Sequence, residues 1–254
     1  MAPEVAGVPQ LTVLNLGSGS KASAHPDVTN IDWSMYARLQ SNRVLRRIAP
    51  LALSGERRRR FRSLPPQVLV HDLRRGIPFP DGSVDVVYHC HMFEHLDRSV
   101  SPVFQSEVLR VLKPGGIQRI VVPDLERVSR AYLAHLELCE NDRSLLSHHD
   151  EYVGAIIEQA VRKEPFALRS RRGVPRAFER ILLGDARKRG ETHQWMYDWA
   201  NLTALLLDAG FHDPTRVGYA ESAVEGWSKY GLDLDGEGNE HKPGSLYVEA
   251  VKET

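Results

Sequence analysis

The tightest constraint on the fold is Leu11 to Ser20, LTVLNLGSGS, read together with Asn30-Ile31-Asp32 shortly after it. Leu11, Val13, Leu14 and Leu16 form a short apolar run that breaks into Gly17-Ser18-Gly19-Ser20, the pattern of a buried strand entering a tight turn. Glycines at such a turn take positive φ and carry no Cβ, so the backbone can approach a ligand closely. A helix is expected from Ser20 to Ala24, its free N–H groups pointing at whatever sits above the strand. Val28 to Ile31 predicts a second strand, which delivers Asp32, a carboxylate placed to accept hydrogen bonds from a ribose diol. Gly17, Gly19 and Ala22 also fit a G-x-G-x-x-A pattern. On this stretch alone an ordinary strand–turn–helix remains open.

The rest of the chain repeats the strand–helix alternation. Gln67 to His71 predicts a third strand delivering Asp72-Leu73, and Val84 to Tyr88 a fourth delivering His89 to Met92 and then Phe93-Glu94-His95. Ser101 to Leu112 carries an apolar face at helical spacing. Lys113-Pro114-Gly115-Gly116 has proline and glycine where a type II turn needs them, and Ile117 to Pro123 reads as a fifth buried strand. Such alternation implies right-handed crossovers and a mostly parallel sheet, whose ligands collect at the carboxyl ends of the strands. Gly17 to Gly19, Asp32, Asp72 and His89 to His91 all fall at such ends. Phe211 to Val217 and Ser245 to Val251 supply two further strands, with an amphipathic helix over Asn201 to Ala209 stopping at Gly210.

Composition narrows the class. Lys plus Arg and Asp plus Glu both number 33 in 254 residues, a balance that argues against a protein coating nucleic acid or an anionic membrane. No apolar run reaches the length of a membrane span, and the first ten residues lack a signal-peptide pattern. Two cysteines do not make a disulfide framework. A cytoplasmic location is expected. Arg57 to Arg60 with Arg62 read either as a phosphate contact or as a solvated helix face.

With these residues together, the chain resembles a class I S-adenosylmethionine-dependent methyltransferase of the small-molecule type. LNLGSGS resembles the loop that cradles the methionine part, NIDWS the ribose-binding acid, HDL with IPFPDGSVDVVYHCHMFEHL the adenine-side motif and the strand after it, and EVLRVLKPGG the helix and turn before strand five. The resemblance implies a Rossmann-like α/β fold with a seven-stranded, mostly parallel sheet and an antiparallel last strand. It implies one domain over 1–254, with a helical substrate-covering insertion over 125–190; a purely structural helical cap is the alternative. A nicotinamide-dependent dehydrogenase fits less well, since its ribose acid usually lies further from the glycines.

The resemblance also implies the cofactor, S-adenosyl-L-methionine, with S-adenosyl-L-homocysteine as product. Its contacts are expected from Asn15, Gly17, Ser18, Gly19, Asp32, Trp33, Asp72, Leu73 and His89. Asn15 stands where the family usually carries an acid and brings no charge. Trp195 and Tyr197, within GETHQWMYD, are expected on the acceptor, and that motif resembles a subset associated with glycan or cell-surface polysaccharide synthesis. If the acceptor is a hydroxyl, a base is needed, and His193, His91 and His95 are the candidates. His193 is preferred because it comes from the acceptor side, and His95 also fits a capping role. Glu94-His95 matches an acid–imidazole pair that some related methyltransferases use for a divalent cation, but zinc-type companion spacings are missing and no metal is expected. Expected partners are a small-molecule or glycan-type acceptor, with neither nucleic acid nor membrane insertion. An RNA or protein methyltransferase, and a non-catalytic cofactor-binding scaffold, are the rival readings. Ala220 to Pro243, long and rich in acids and glycines, is expected to be a mobile loop over the site.

Overall fold

The computed structural model describes residues 11–52, 55–63, 67–159 and 193–253. Seven strands form one sheet: β1 (Val13–Leu16), β2 (Val28–Asp32), β3 (Val68–Val70), β4 (Val84–Cys90), β5 (Leu112–Pro123), β6 (Phe211–Val217) and β7 (Ser245–Lys252), in the order β3-β2-β1-β4-β5-β7-β6. The first five strands are parallel, and β7 runs antiparallel between β5 and β6. The expected α/β architecture is therefore present. The Lys113–Gly116 turn is a local excursion of β5: Val84 pairs with Leu112 and Val86 with Ile117, while Gly115 takes the positive φ of 74° that the turn requires.

Alternation of side chains along the strands separates two cores. Leu14, Ile31, Val87, Ile120 and Val248 pack on one face with α4 (Ser101–Val111), whose buried residues include Phe104 and Val108. Leu202 and Leu206 of a later helix, Trp199–Asp208, complete this layer. Val13, Val28, Val86, Tyr88, Val121 and Tyr247 face the other way.

The second face departs from the sequence reading. No helix forms over Ser20 to Ala24. The short connection to Val28 is instead held open by two strand asparagines. The Asn15 amide donates to the Lys21 carbonyl at 2.9 Å and to Asn30 Oδ1 at 2.9 Å, while Asn30 Nδ2 donates to the Ser23 carbonyl at 2.8 Å and its Oδ1 accepts from Ser23 N at 2.9 Å. Loop groups that a helix would pair internally are thus satisfied from the sheet.

The area a crossover helix would cover is filled by the stretch expected to be a mobile loop. Trp227, Tyr230 and Leu232 are buried in the second core, and Tyr230 meets the His25 ring edge-on at 4.9 Å. Beneath them Arg119, fully buried, donates to Asp233 Oδ2 at 2.7 Å, Glu249 Oε1 at 2.6 Å and the Glu221 carbonyl at 2.8 Å. Trp227 Nε1 and Tyr88 Oη each donate to Asp233 at 2.7 Å. Within residues 220–243, Val224, Trp227, Tyr230, Leu232 and Asp233 are therefore buried as a cover anchored by a guanidinium.

Three helices follow β2: α1 (Met35–Ser41), α2 (Arg43–Ala52) and α3 (Gly55–Ser63). Ser34 caps α1, accepting from Ala37 N at 3.2 Å. Of the 125–190 stretch, the described part is helical: α5 (Leu125–Asn141), a 3-10 turn (Arg143–His148) and α6 (His149–Gln159). Trp199–Asp208 is α7. The remainder of that stretch, with its arginine clusters at 169–172 and 187–189, lies outside the described residues.

Candidate active site

The edge formed by the carboxyl ends of β1, β2, β4 and β5 carries the chemistry. At β1, Gly17 and Gly19 take φ of 65° and 51°, and a Cβ at Gly17 would meet Met92 Cγ at 2.5 Å. Only glycine fits where this turn passes under the residues that follow β4. The Ser18 hydroxyl oxygen between the two glycines is buried without a partner. Asp32, also buried, accepts from Ser34 N at 2.7 Å and Ser34 Oγ at 3.3 Å, which leaves lone pairs on its carboxylate for a further donor.

Other expected cofactor contacts sit differently. Asn15 spends one amide hydrogen on the Lys21 carbonyl and the other on Asn30 Oδ1. Asp72 holds Arg74 through both oxygens, at 2.8 and 2.6 Å, and the Arg74 hydrogen bonds keep its carboxyl below the ordinary range. Leu73 packs against the first core. Trp33 is partly exposed under the Arg38 guanidinium, 4.8 Å from its ring centroid. His89 is fully buried between Phe93 and Phe104, and burial lowers its pKa to about 3, so it is a neutral core histidine.

After β4 the chain turns sharply at His91, a non-glycine residue with φ of 48°. Ser245 Oγ donates to the Lys242 carbonyl at 2.8 Å, so its 2.8 Å contact with His91 Nε2 has the imidazole as donor. His91 Nδ1 then keeps its lone pair, 3.7 Å from Glu94 Oε1. Burial, reinforced by Lys242 and the neighbouring histidines, lowers the His91 pKa to about 3. A base that weak holds few protons at neutral pH.

Glu94 is the residue whose importance the sequence pattern understated. It is 1% exposed, neither carboxylate oxygen has a hydrogen-bond partner, and burial pushes its pKa up to about 8. Its carbonyl accepts from Gln194 N at 2.7 Å, which brings the stretch before α7 beside it. An Asp124–Tyr197 bridge and the Leu125 N to Tyr197 O bond, 3.0 Å, fix the same stretch to the end of β5. His193 is therefore held at the site, its ring edge-on to His95 at 4.9 Å. Its Nδ1 lies 3.2 Å from the Gln159 carbonyl, which can only accept, so Nε2 carries the free lone pair. Donor atoms of Glu94, His95 and His193 lie within 4.8 Å of one another.

Trp195 is partly exposed under Arg98, 4.7 Å from its ring centroid, at the mouth of a narrow crevice shared with Glu94, His193 and Tyr197. Tyr197 itself is buried, stacked on Phe93 at 5.0 Å with its hydroxyl 3.2 Å from Ser101 Oγ. A separate group joins α5 to α6: His135 Nδ1 is 3.0 Å from His149 Nδ1 in nearly parallel rings and 3.4 Å from Cys139 Sγ.

Residues 16–120, from the end of β1 into β5, match the methyltransferase domain family. The match covers less than half of the chain. A probable S-adenosylmethionine-dependent methyltransferase of Mycolicibacterium smegmatis is 42% identical over 57 residues, 21% of each chain, so this protein spans about a fifth of that relative's length. A possible histamine N-methyltransferase of Thermotoga maritima overlays with a TM-score of 0.40 at 14% identity, over 97% of this chain and 84% of that one. For an S-adenosylmethionine-dependent methyltransferase of Aquifex aeolicus the values are 0.39 and 17%, over 95% and 82%. Overlays this loose do not bear on what the domain acts on. Among the described residues no helix is long and apolar enough to cross a membrane.

Proposed function

We propose that this protein transfers the methyl group of S-adenosylmethionine to an oxygen or nitrogen of a small-molecule or sugar-containing acceptor, with His193 taking the acceptor's proton. The observation that carries the reading is the meeting of two half-sites. The glycine turn touches Met92, and two residues further on the unpartnered Glu94 carboxylate groups with His95 and His193. The orphaned Ser18 hydroxyl and the free acceptor capacity of Asp32 fit a ligand rich in amine and hydroxyl donors.

When bound there, S-adenosylmethionine supplies an electrophilic methyl group on a sulfonium. The chain's own work is then positioning and proton transfer. In-line placement at near-attack distance accounts for most of the acceleration in such a displacement. As the acceptor's lone pair takes the methyl, its proton passes to His193 Nε2, whose tautomer the Gln159 carbonyl sets. Glu94, buried close by and holding its own proton at neutral pH, brings no counter-charge, so the imidazolium that forms is held by the Gln159 carbonyl. Trp195 offers a flat apolar surface suited to a sugar ring.

The test uses cofactor labelled in the transferred methyl group with fractionated cell extract. Label is expected in small molecules or saccharides. Label in RNA or protein overturns the acceptor class, and cofactor binding without any transfer favours a scaffold. With the acceptor in hand, His193→Ala should lower turnover about a hundred- to ten-thousand-fold while cofactor affinity is kept. A near-normal rate removes His193 as the base.

A further inference from the structure

The balanced charge of the whole chain hides a local excess. Between Trp33 and Ser63 there are nine arginines and a single acid, Glu56. Among them lies α2, which leans on the molecule through Ala49 but shows most of its surface to solvent. Val44, Leu45, Ile48 and Leu51 are 66, 37, 50 and 82% exposed. Their spacing of i, i+1, i+4 and i+7 puts them in one stripe along the helix. Arg43, Arg46 and Arg47 lie on the remaining arc, also exposed. Next to it, α3 is tied to α1 by the Gln40 amide donating to the Phe61 carbonyl at 2.5 Å, with Phe61 buried and Arg59 and Arg62 exposed.

An exposed aliphatic stripe with arginines on the opposing arc is the pattern of a helix that lies in a membrane interface. From this we infer that α2 docks the protein on an anionic lipid surface. The stripe of Val44, Ile48 and Leu51 enters the acyl boundary, and the arginines of α2 and α3 meet the headgroup phosphates. Nucleic acid would use the arginines but has no place for four solvent-facing aliphatic side chains. A second copy of this chain would bring the same positive charge against itself. The surface belongs to the β2–β3 connection and makes no use of the methyl-transfer residues, so it stands apart from the proposed activity.

The experiment is co-sedimentation of the full-length protein with vesicles of phosphatidylcholine alone and with about one-third phosphatidylglycerol. Binding is expected to the anionic vesicles and to weaken with salt. Neutralising Arg43, Arg46 and Arg47 to Gln should weaken it about fivefold per residue. Leu51→Glu and Ile48→Glu should each weaken it about tenfold or more, with melting temperature unchanged because both positions face solvent. Absence of binding, or equal binding to both vesicle types, overturns the inference. So does loss with the arginine variants but not with the glutamate variants, accompanied by RNA binding. A protein dimer dispersed by Leu51→Glu, with no vesicle binding, would assign the stripe to self-association and equally overturn it.

Discussion

Glu94→Gln offers a sharp test of the site's electrostatics that needs neither cofactor nor acceptor. The carboxyl is almost fully buried, its oxygens lack hydrogen-bond partners, and burial raises its pKa from the ordinary 4.5 to about 8. The folded state therefore holds this proton more tightly than the unfolded chain does. Its stabilising contribution is complete below about pH 4.5 and is lost as pH rises toward 8. Each pH unit in that window is worth about 1.4 kcal/mol, so by pH 7 the wild type has given up about 3 kcal/mol relative to a side chain that does not titrate. Glutamine has the same shape and no charge. Urea unfolding at several pH values between 5 and 8 should show the variant gaining on the wild type by about 1.4 kcal/mol per pH unit. The slope matters rather than the offset, because the amide's own burial shifts all points equally. Parallel stability curves would mean that the carboxylate is solvated or paired, and the picture of a desolvated acid behind His193 would fail.

Arg119→Met should destabilise the fold by about 3–5 kcal/mol in urea, because it strands Asp233 and Glu249 as unpaired buried carboxylates; adding Asp233→Asn and Glu249→Gln should restore much of the loss, and a single-variant cost below about 1 kcal/mol would refute the role given to the guanidinium. S-adenosylhomocysteine at about 100 times its dissociation constant should stabilise the wild type by about 2.7 kcal/mol and NAD should not. Asp32→Ala should remove most of that gain in a thermal-shift assay, and an undiminished shift would detach Asp32 from the ribose.

The sheet was legible because its strands announce themselves locally. Apolar runs at Val13, Val84 and Ile117, punctuated by glycine and proline, place β1, β4 and β5 without knowledge of the rest. The antiparallel pairing of β7 came from family resemblance, since nothing in SLYVEAVK states its direction. The missing crossover helix was not legible. Ser20 to Ala24 is compatible with a helix on its own, and what prevents one is the pair Asn15 and Asn30, one of them read as a ligand contact. The burial of Trp227, Tyr230, Leu232 and Asp233 was hidden for a similar reason. Glycines and acids suggested a solvated loop, and Asp233 becomes a core residue only once Arg119, 114 positions away, is opposite it. At the site, local spacing grouped the histidines after β4, but the desolvation that distinguishes Glu94 from any surface glutamate is a property of the assembled fold.

The replacement of a helix by a distant cover has a consequence for the order in which the protein can assemble. Lys21 donates to the Leu234 carbonyl and Ser23 Oγ to the Tyr230 carbonyl at 2.7 Å, across 213 and 207 residues of sequence. An ordinary β–α–β unit closes on itself within a few turns of chain. Here the glycine turn waits for chain more than 200 residues further on before its outer side is sealed. Contacts of such long sequence separation carry a high loop-closure cost and form late. The segment similar to the methyltransferase domain family, residues 16–120, thus lacks the piece that finishes its own first loop. A chain ending there would leave Val13, Val86 and Tyr88 facing water, making closure of the glycine turn's outer side a late event in folding.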